Sequence, residues 1–145
     1  IISPELHWYF DLNANVAQTI ASGFFDSMSL YQKLSFEQQQ KLEQILHFFD
    51  LKDDKNKKLN TLSLGKQRLA LLARTIVKNP ELLILDEPCQ GLDVQQTKYF
   101  NRVVDDLCKS GHTLIYVGHF ESQLPESLSH KLILEKGEIK NEKFQ

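Results

Sequence analysis

Residues 82–88 read Leu-Leu-Ile-Leu-Asp-Glu-Pro, an apolar run that ends on two adjacent carboxylates, Asp86 and Glu87. Two such groups at the end of a buried run are costly unless a cation or a proton-transfer role uses them. An aspartate there can hold Mg²⁺ through water, as in nucleotide hydrolases. The neighbouring glutamate can orient or deprotonate an attacking water. The plain alternative is a strand end that meets solvent at an acidic turn. A second apolar run, Thr-Leu-Ile-Tyr-Val, leads through Gly118 to His119. Neighbouring strands would bring His119 to the same edge as the acidic pair.

A third candidate is Leu-Ser-Leu-Gly-Lys-Gln-Arg, residues 62–68. Ser63 reads as the cap of a helix, and a helix start attracts anions through its free amides and positive dipole end. Ser63, the amide of Gly65 and the ammonium of Lys66 could together hold a phosphate. An ordinary capped helix would carry the same residues. A phosphate-cradling loop of the Walker type requires G-x-x-x-x-G-K-[ST] after a strand. Here Asn60 stands five residues before Gly65 and Gln67 follows Lys66, so the spacing excludes that loop. No other stretch of the chain fits it. Gly91 permits a turn after Pro88, and Asp93 can cap the helix that follows.

The elements that must position these groups follow from periodicity. Val16, Ile20 and Phe24 fall at helical spacing behind Asn13 or Asn15 as cap. A second helix starts at Ser35, with Gln38 completing a capping box and Leu42, Ile45, Leu46 and Phe49 forming one stripe. The polar stretch 50–60 predicts a solvated connection with Lys55, Lys57 and Lys58 facing water. It lacks the central glycine and terminal glutamate of a calcium loop. A third helix runs from about Leu64 to Val77 and stops at Asn79-Pro80. The run 82–85 predicts a strand buried on both faces. A helix over 95–110 ends at Gly111, and a second strand follows. A short helix near 121–127 then precedes a hairpin turning at Gly137. Strands alternating with helices predict an α/β sheet behind a small helical region. The aromatic-rich stretch 23–31 suits the core of that helical region, or a docking surface.

The chain has 145 residues, 41% of them hydrophobic and 25% charged, as expected of one packed domain. Its formal net charge of −2 argues against nucleic-acid binding by the whole surface. Two cysteines, Cys89 and Cys108, are too few for a disulfide framework and not spaced for zinc. No apolar run approaches a membrane span. The first residue is Ile1 rather than Met, which leads us to expect that a segment upstream is missing.

Taken in order, Leu-Ser-Leu-Gly-Lys, Leu-Leu-Ile-Leu-Asp-Glu-Pro, Gly-Leu-Asp and a later strand closed by histidine resemble an ABC-type ATPase domain. The run 62–93 resembles that family's signature motif, Walker B motif and D-loop, and His119 its switch histidine. The narrower likeness is to the molybdenum-transport and photorepair-type branch. The resemblance implies a partial ABC ATPase fold: a Q-loop region over 1–12, a helical subdomain over 13–62, and the signature helix with the C-terminal half of the α/β core over 63–145. It implies ATP and Mg²⁺ as cofactors, with Asp86 binding magnesium through water, Glu87 as general base and His119 on the γ-phosphate. Ser63, Gly65 and Lys66 would contact a nucleotide held by a second such domain, docked head to tail with Asp93 at the interface. A membrane permease would be the further partner, with no nucleic acid and no direct membrane insertion, and the location would be cytoplasmic, either free or peripheral at the inner face of the cell membrane.

This sequence departs from the family pattern at several places. Leu64 and Lys66 replace the first glycine and the glutamine of the usual signature. No Q-loop glutamine is evident near Ser3 and Pro4. The Walker A loop and an adenine-stacking aromatic are absent. These departures lead us to expect a C-terminal piece of an ATPase domain, inactive alone. Two rival readings stay open, a soluble ATPase of the DNA-repair or translation type and an ABC-like domain that has lost hydrolysis.

Overall fold

The computed structural model describes residues 2–3, 10–27, 32–136 and 138–143; Pro4 and the stretch 28–31 lie outside these. Helix α1 (Val16–Ser22) starts at Asn15, whose side chain forms a reciprocal capping box with Gln18. Helix α2 (Phe36–Phe48) starts at Ser35 with the expected box to Gln38. Helix α3 (Leu64–Ile76) starts at Ser63, and helix α4 (Val94–Lys109) at Asp93. Strands β1 (Leu82–Asp86) and β2 (Thr113–Val117) pair in parallel, with Leu83 opposite Leu114 and Asp86 opposite Val117. Ile2 bridges to Leu85 on the other side of β1. Strands β3 (His130–Glu135) and β4 (Glu138–Lys143) form a separate antiparallel hairpin.

Val16 and Ile20 of α1, Leu46 of α2 and Leu72 of α3 are fully buried together with Phe49. The second layer packs Leu83 and Leu85 of β1 with Phe100 and Val104 of α4 in the same core. Asn79 ends α3 in the left-handed region at φ 51°, a conformation asparagine tolerates well.

Three expectations change. The apolar run of β1 is buried on one face only. Leu83 and Leu85 are buried, while Leu82 is 47% exposed, as are Ile115 (49%) and Val117 (46%) of β2. Only one side of the described sheet carries helices. The expected helix near 121–127 is a single 3-10 turn, Glu121–Gln123, because Leu124 and Pro125 turn the chain extended. The hairpin forms as expected. Gly137 lies outside the described residues, and Lys136 beside it takes φ 51°.

The connection 50–60 is the largest correction. It is not simply solvated, because Leu51 and Leu59 are fully buried at its two ends. Its backbone is stitched to α1, with Val16 and Ala17 amides donating to the carbonyls of Lys57 and Lys55. Lys55 pairs with Glu43 of α2 at 2.8 Å. Asp54 is buried, with a side chain only 5% exposed. Lys57 Nζ donates to its Oδ1 at 2.6 Å and Lys66 Nζ to its Oδ2 at 2.5 Å. A buried carboxylate needs at least one charged partner, since without any it costs several kcal/mol.

Hydrogen bonds from Lys57 and Lys66 hold the Asp54 carboxyl below its ordinary value of 3.8. A depressed carboxyl adds stability above the unfolded value and loses it as pH falls through the folded one. Asp54 in turn holds the Lys66 ammonium above 10.5, a contribution present below that pH and lost above it. Asp54→Asn should therefore reduce the stability lost on acidification below about pH 5, measured as urea midpoints at stepped pH. A pH dependence identical to the wild type would contradict this.

Helices α1 and α3 approach through Gly23. A Cβ there would lie 2.2 Å from the carbonyl oxygen of Arg74 and 2.8 Å from Val77 Cγ2. Backbone cannot yield as a side chain can, so Gly23→Ala should destabilise the chain by about 1–3 kcal/mol. A urea midpoint unchanged in that variant would refute the close approach.

Candidate functional site

The parallel ladder sets the geometry of the acidic edge. Beyond the Asp86–Val117 pair, the Glu87 amide donates to the Val117 carbonyl at 3.0 Å. Glu87 then takes φ 45°, a left-handed conformation that costs a non-glycine residue about 1–2 kcal/mol. This turn sends the chain away from the strand axis and into Pro88. On β2, Gly118 follows the last strand residue and His119 comes next. The His119 Nε2 and Glu87 Oε1 lie 2.6 Å apart. Glu87 also accepts from Gln90 Nε2 at 3.3 Å. Two residues separated by 32 positions therefore meet at the carboxyl edge of the sheet, where open α/β folds bind ligands.

Both line a cleft of about 130 Å³, together with Gly118, Phe120 and Tyr116. Its floor is a hydrogen-bonded set that the sequence reading missed. Tyr116 donates from its hydroxyl to Cys89 Sγ at 3.3 Å, and Asn101 Nδ2 donates to the Gln123 carbonyl at 2.8 Å. Cys89 in turn donates its thiol to Asn101 Oδ1 at 3.7 Å. Burial pushes the Cys89 thiol and the Tyr116 phenol up, so both stay neutral beneath the acidic edge. The available signal was polar residues interrupting apolar patterns: Tyr116 inside a strand, Asn101 beside Phe100, Val103 and Val104.

Asp86 is the last residue of β1 and half buried. Among the described residues no group of three or more His, Cys, Asp or Glu side chains could hold a metal ion. Two adjacent carboxylates fit magnesium all the same. That ion is commonly held through one or two carboxylates and keeps its other sites for water and substrate phosphate. The donor set thus suits magnesium arriving with a phosphate ligand rather than a caged structural ion.

The second set of expected residues stands at the start of α3. Ser63 is exposed and its Oγ accepts from the Lys66 amide at 3.4 Å. Gly65 is buried beneath α4, and a Cβ there would lie 3.1 Å from Gln96 Cγ. Lys66 carries its ammonium to Asp54. These three line a cavity of about 290 Å³ with Phe49, Leu69 and Tyr99. The two clefts share no lining residue. Asp93 accepts from the Gln96 amide at 2.8 Å as the cap of α4. Gly91, at φ +81°, sits against Leu64, whose Cδ2 would be 3.2 Å from a Cβ on that glycine. The turn after the acidic pair and the start of α3 are thereby in contact.

Comparison with known proteins gives the family and the fold. The family model described as ABC transporter matches residues 9–90, more than half of the chain. The ABC transporter ATP-binding protein ModF of Escherichia coli (strain K12) is 40% identical over 133 residues, covering 90% of this chain and 27% of that protein. The zinc uptake system ATP-binding protein ZurA of Listeria innocua is 30% identical over 124 residues, covering 85% of this chain and 48% of that protein. The chain thus spans from about a quarter to a half of the length of these relatives. Among solved structures, the ADP conformation of an ATP-binding cassette superposes with a TM-score of 0.82 at 20% identity, covering 98% of this chain and 58% of that one. A nucleotide-free cassette gives 0.82 at 19% identity, covering all of this chain and 60% of the other. The fold is that of an ABC ATPase cassette, and the chain belongs to the ABC transporter ATP-binding family.

Proposed function

We propose that the protein carrying this chain binds and hydrolyses ATP as the ATP-binding subunit of an ABC transporter. The observation that carries this reading is the pairing of Glu87 with His119 at the sheet edge, in a cleft separate from the one at the start of α3. One half-site has carboxylates without a phosphate cradle. The other has a helix start suited to an anion. Both become useful when a second such domain docks head to tail, with Asp93 and its turn at the junction.

In this reading Asp86 would hold magnesium through water, and the ion would supply positive charge against the developing charge on the phosphate. Glu87 accepts the proton of the attacking water. His119, in hydrogen-bond reach of Glu87, orients that carboxylate and meets the terminal phosphate. Ser63 and the Gly65 amide face the nucleotide of the partner domain, as helix N-termini face phosphates elsewhere. The partner is an ABC domain on the same polypeptide or on a second copy, and a membrane permease completes the transporter at the cytoplasmic face. For cargo, the likeness to the molybdenum-transport branch favours molybdate or a related oxyanion. The zinc uptake ATPases resemble this chain less, at 28–30% identity.

Glu87→Gln in the complete gene product should lower magnesium-dependent ATP hydrolysis roughly 10²–10⁴-fold while leaving ATP binding in place. Hydrolysis that survives this substitution would exclude Glu87 as the base. The 145-residue chain purified alone should show no magnesium-dependent turnover, because it contains no Walker A sequence. Turnover abolished by Glu87→Gln in that chain would contradict the divided site.

A further inference from the structure

Helices α1 and α2 start with a reciprocal capping box, whereas α3 and α4 start with a one-way side-chain cap. At α1 and α2 the third helical residue is glutamine, which closes a reciprocal capping box onto the cap amide. At α3 the equivalent position is Lys66, and no acidic residue occupies the first turn. An ammonium has no acceptor, so it cannot close such a box. It also puts positive charge at the positive end of the helix dipole, which is unfavourable. The structure compensates from outside the helix. Asp54, at the end of the 3-10 turn Lys52–Asp54, brings a buried carboxylate to the Lys66 ammonium at 2.5 Å.

We infer that Lys66 is a positioning residue: its ion pair with Asp54 clamps the start of α3 to the connection 50–60 and leaves the Ser63 cap open toward an external phosphate. This rests on the proposed role of that helix start. Three observations support the clamp. The other Asp54 oxygen is already held by Lys57 from within the same loop. The pair to Lys66 therefore adds a tie between two elements rather than a first partner for the carboxylate. The loop is itself anchored, since the Leu59 and Asn60 amides donate to the carbonyls of Ala14 and Leu12 ahead of α1. The Lys66 backbone, finally, is only loosely engaged by the Ser63 hydroxyl at 3.4 Å, so the cap alone holds the first turn weakly. Because Lys57 stays in place, Lys66 can be replaced without stranding Asp54, and the variant should fold.

A lysine has three N–H groups and could in principle serve Asp54 and a phosphate together. The two roles predict different mutant patterns. In the complete gene product, Lys66→Gln and Asp54→Asn should each speed hydrogen exchange of the amides at 66–69 by about tenfold, with β1 and α4 unchanged. The double variant should add nothing further, and Lys66→Arg should retain protection. The same two single variants should lower ATPase kcat alike, by about tenfold, with little change in KM. If Lys66 instead binds the phosphate directly, Asp54→Asn frees the ammonium and keeps activity while Lys66→Gln loses it. That asymmetry, or unchanged exchange in both single variants, would overturn the clamp. Hydrolysis that survives Glu87→Gln would count against the proposed ATPase chemistry alone, since the exchange result does not depend on it.

Discussion

The parallel pairing of β1 with β2 is the constraint on which the site depends. Its register places Asp86 beside Val117, and the Glu87 amide extends the ladder by one more bond. With the ladder ending there, Glu87 adopts its left-handed conformation and His119 arrives two residues past Val117 on the neighbouring strand. A one-residue slip of register would turn every side chain of β2 to the other face. Tyr116 would leave the floor of the cleft and His119 would lose its reach to Glu87. The site is thus a property of strand pairing before it is a property of any one side chain.

A second layer of organisation ties that edge to the start of α3. The turn after Pro88 brings Gly91 against Leu64, and the first turn of α4 brings Gln96 over Gly65. Glycine at 91 is favoured by its positive φ, and at 65 a Cβ would press on the Gln96 side chain. The start of α3 is therefore held from two sides, by α4 and its preceding turn on one and by Asp54 on the other. A helix end meant to meet a ligand benefits from such support, because small misplacements of a charged or hydrogen-bonding group are costly in catalysis.

The polar groups beneath the edge complete the picture. Cys89, Tyr116 and Asn101 satisfy one another and the Gln123 carbonyl in a region largely closed to water. Such a network fixes the backbone on both sides of Glu87 without adding charge next to it. The exposed apolar face of the sheet, with Leu82, Ile115 and Val117, stands opposite to this supported side.

Much of this protein was legible from its amino acids alone. Capping residues at Asn13 or Asn15, Ser35, Ser63 and Asp93 marked four helix starts, because a cap is a local hydrogen bond between near neighbours; the structure chose Asn15 for the first. Apolar runs ending at Asp86 and before His119 marked two strands and the edge where chemistry belongs. What stayed hidden depended on distance along the chain. The ion pair of Lys66 with Asp54 was not legible, since nothing near Lys66 in the sequence announces a buried carboxylate twelve residues earlier. Asp54 read as one acid in a solvated loop, because its burial follows from the packing of Leu51 and Leu59 into the core. The approach of Glu87 to His119 was suggested by pattern, but the 2.6 Å contact required the register of β1 and β2. Local hydrogen bonding and periodicity are encoded within a few residues, whereas burial and the partners of charged groups are set only when distant segments pack.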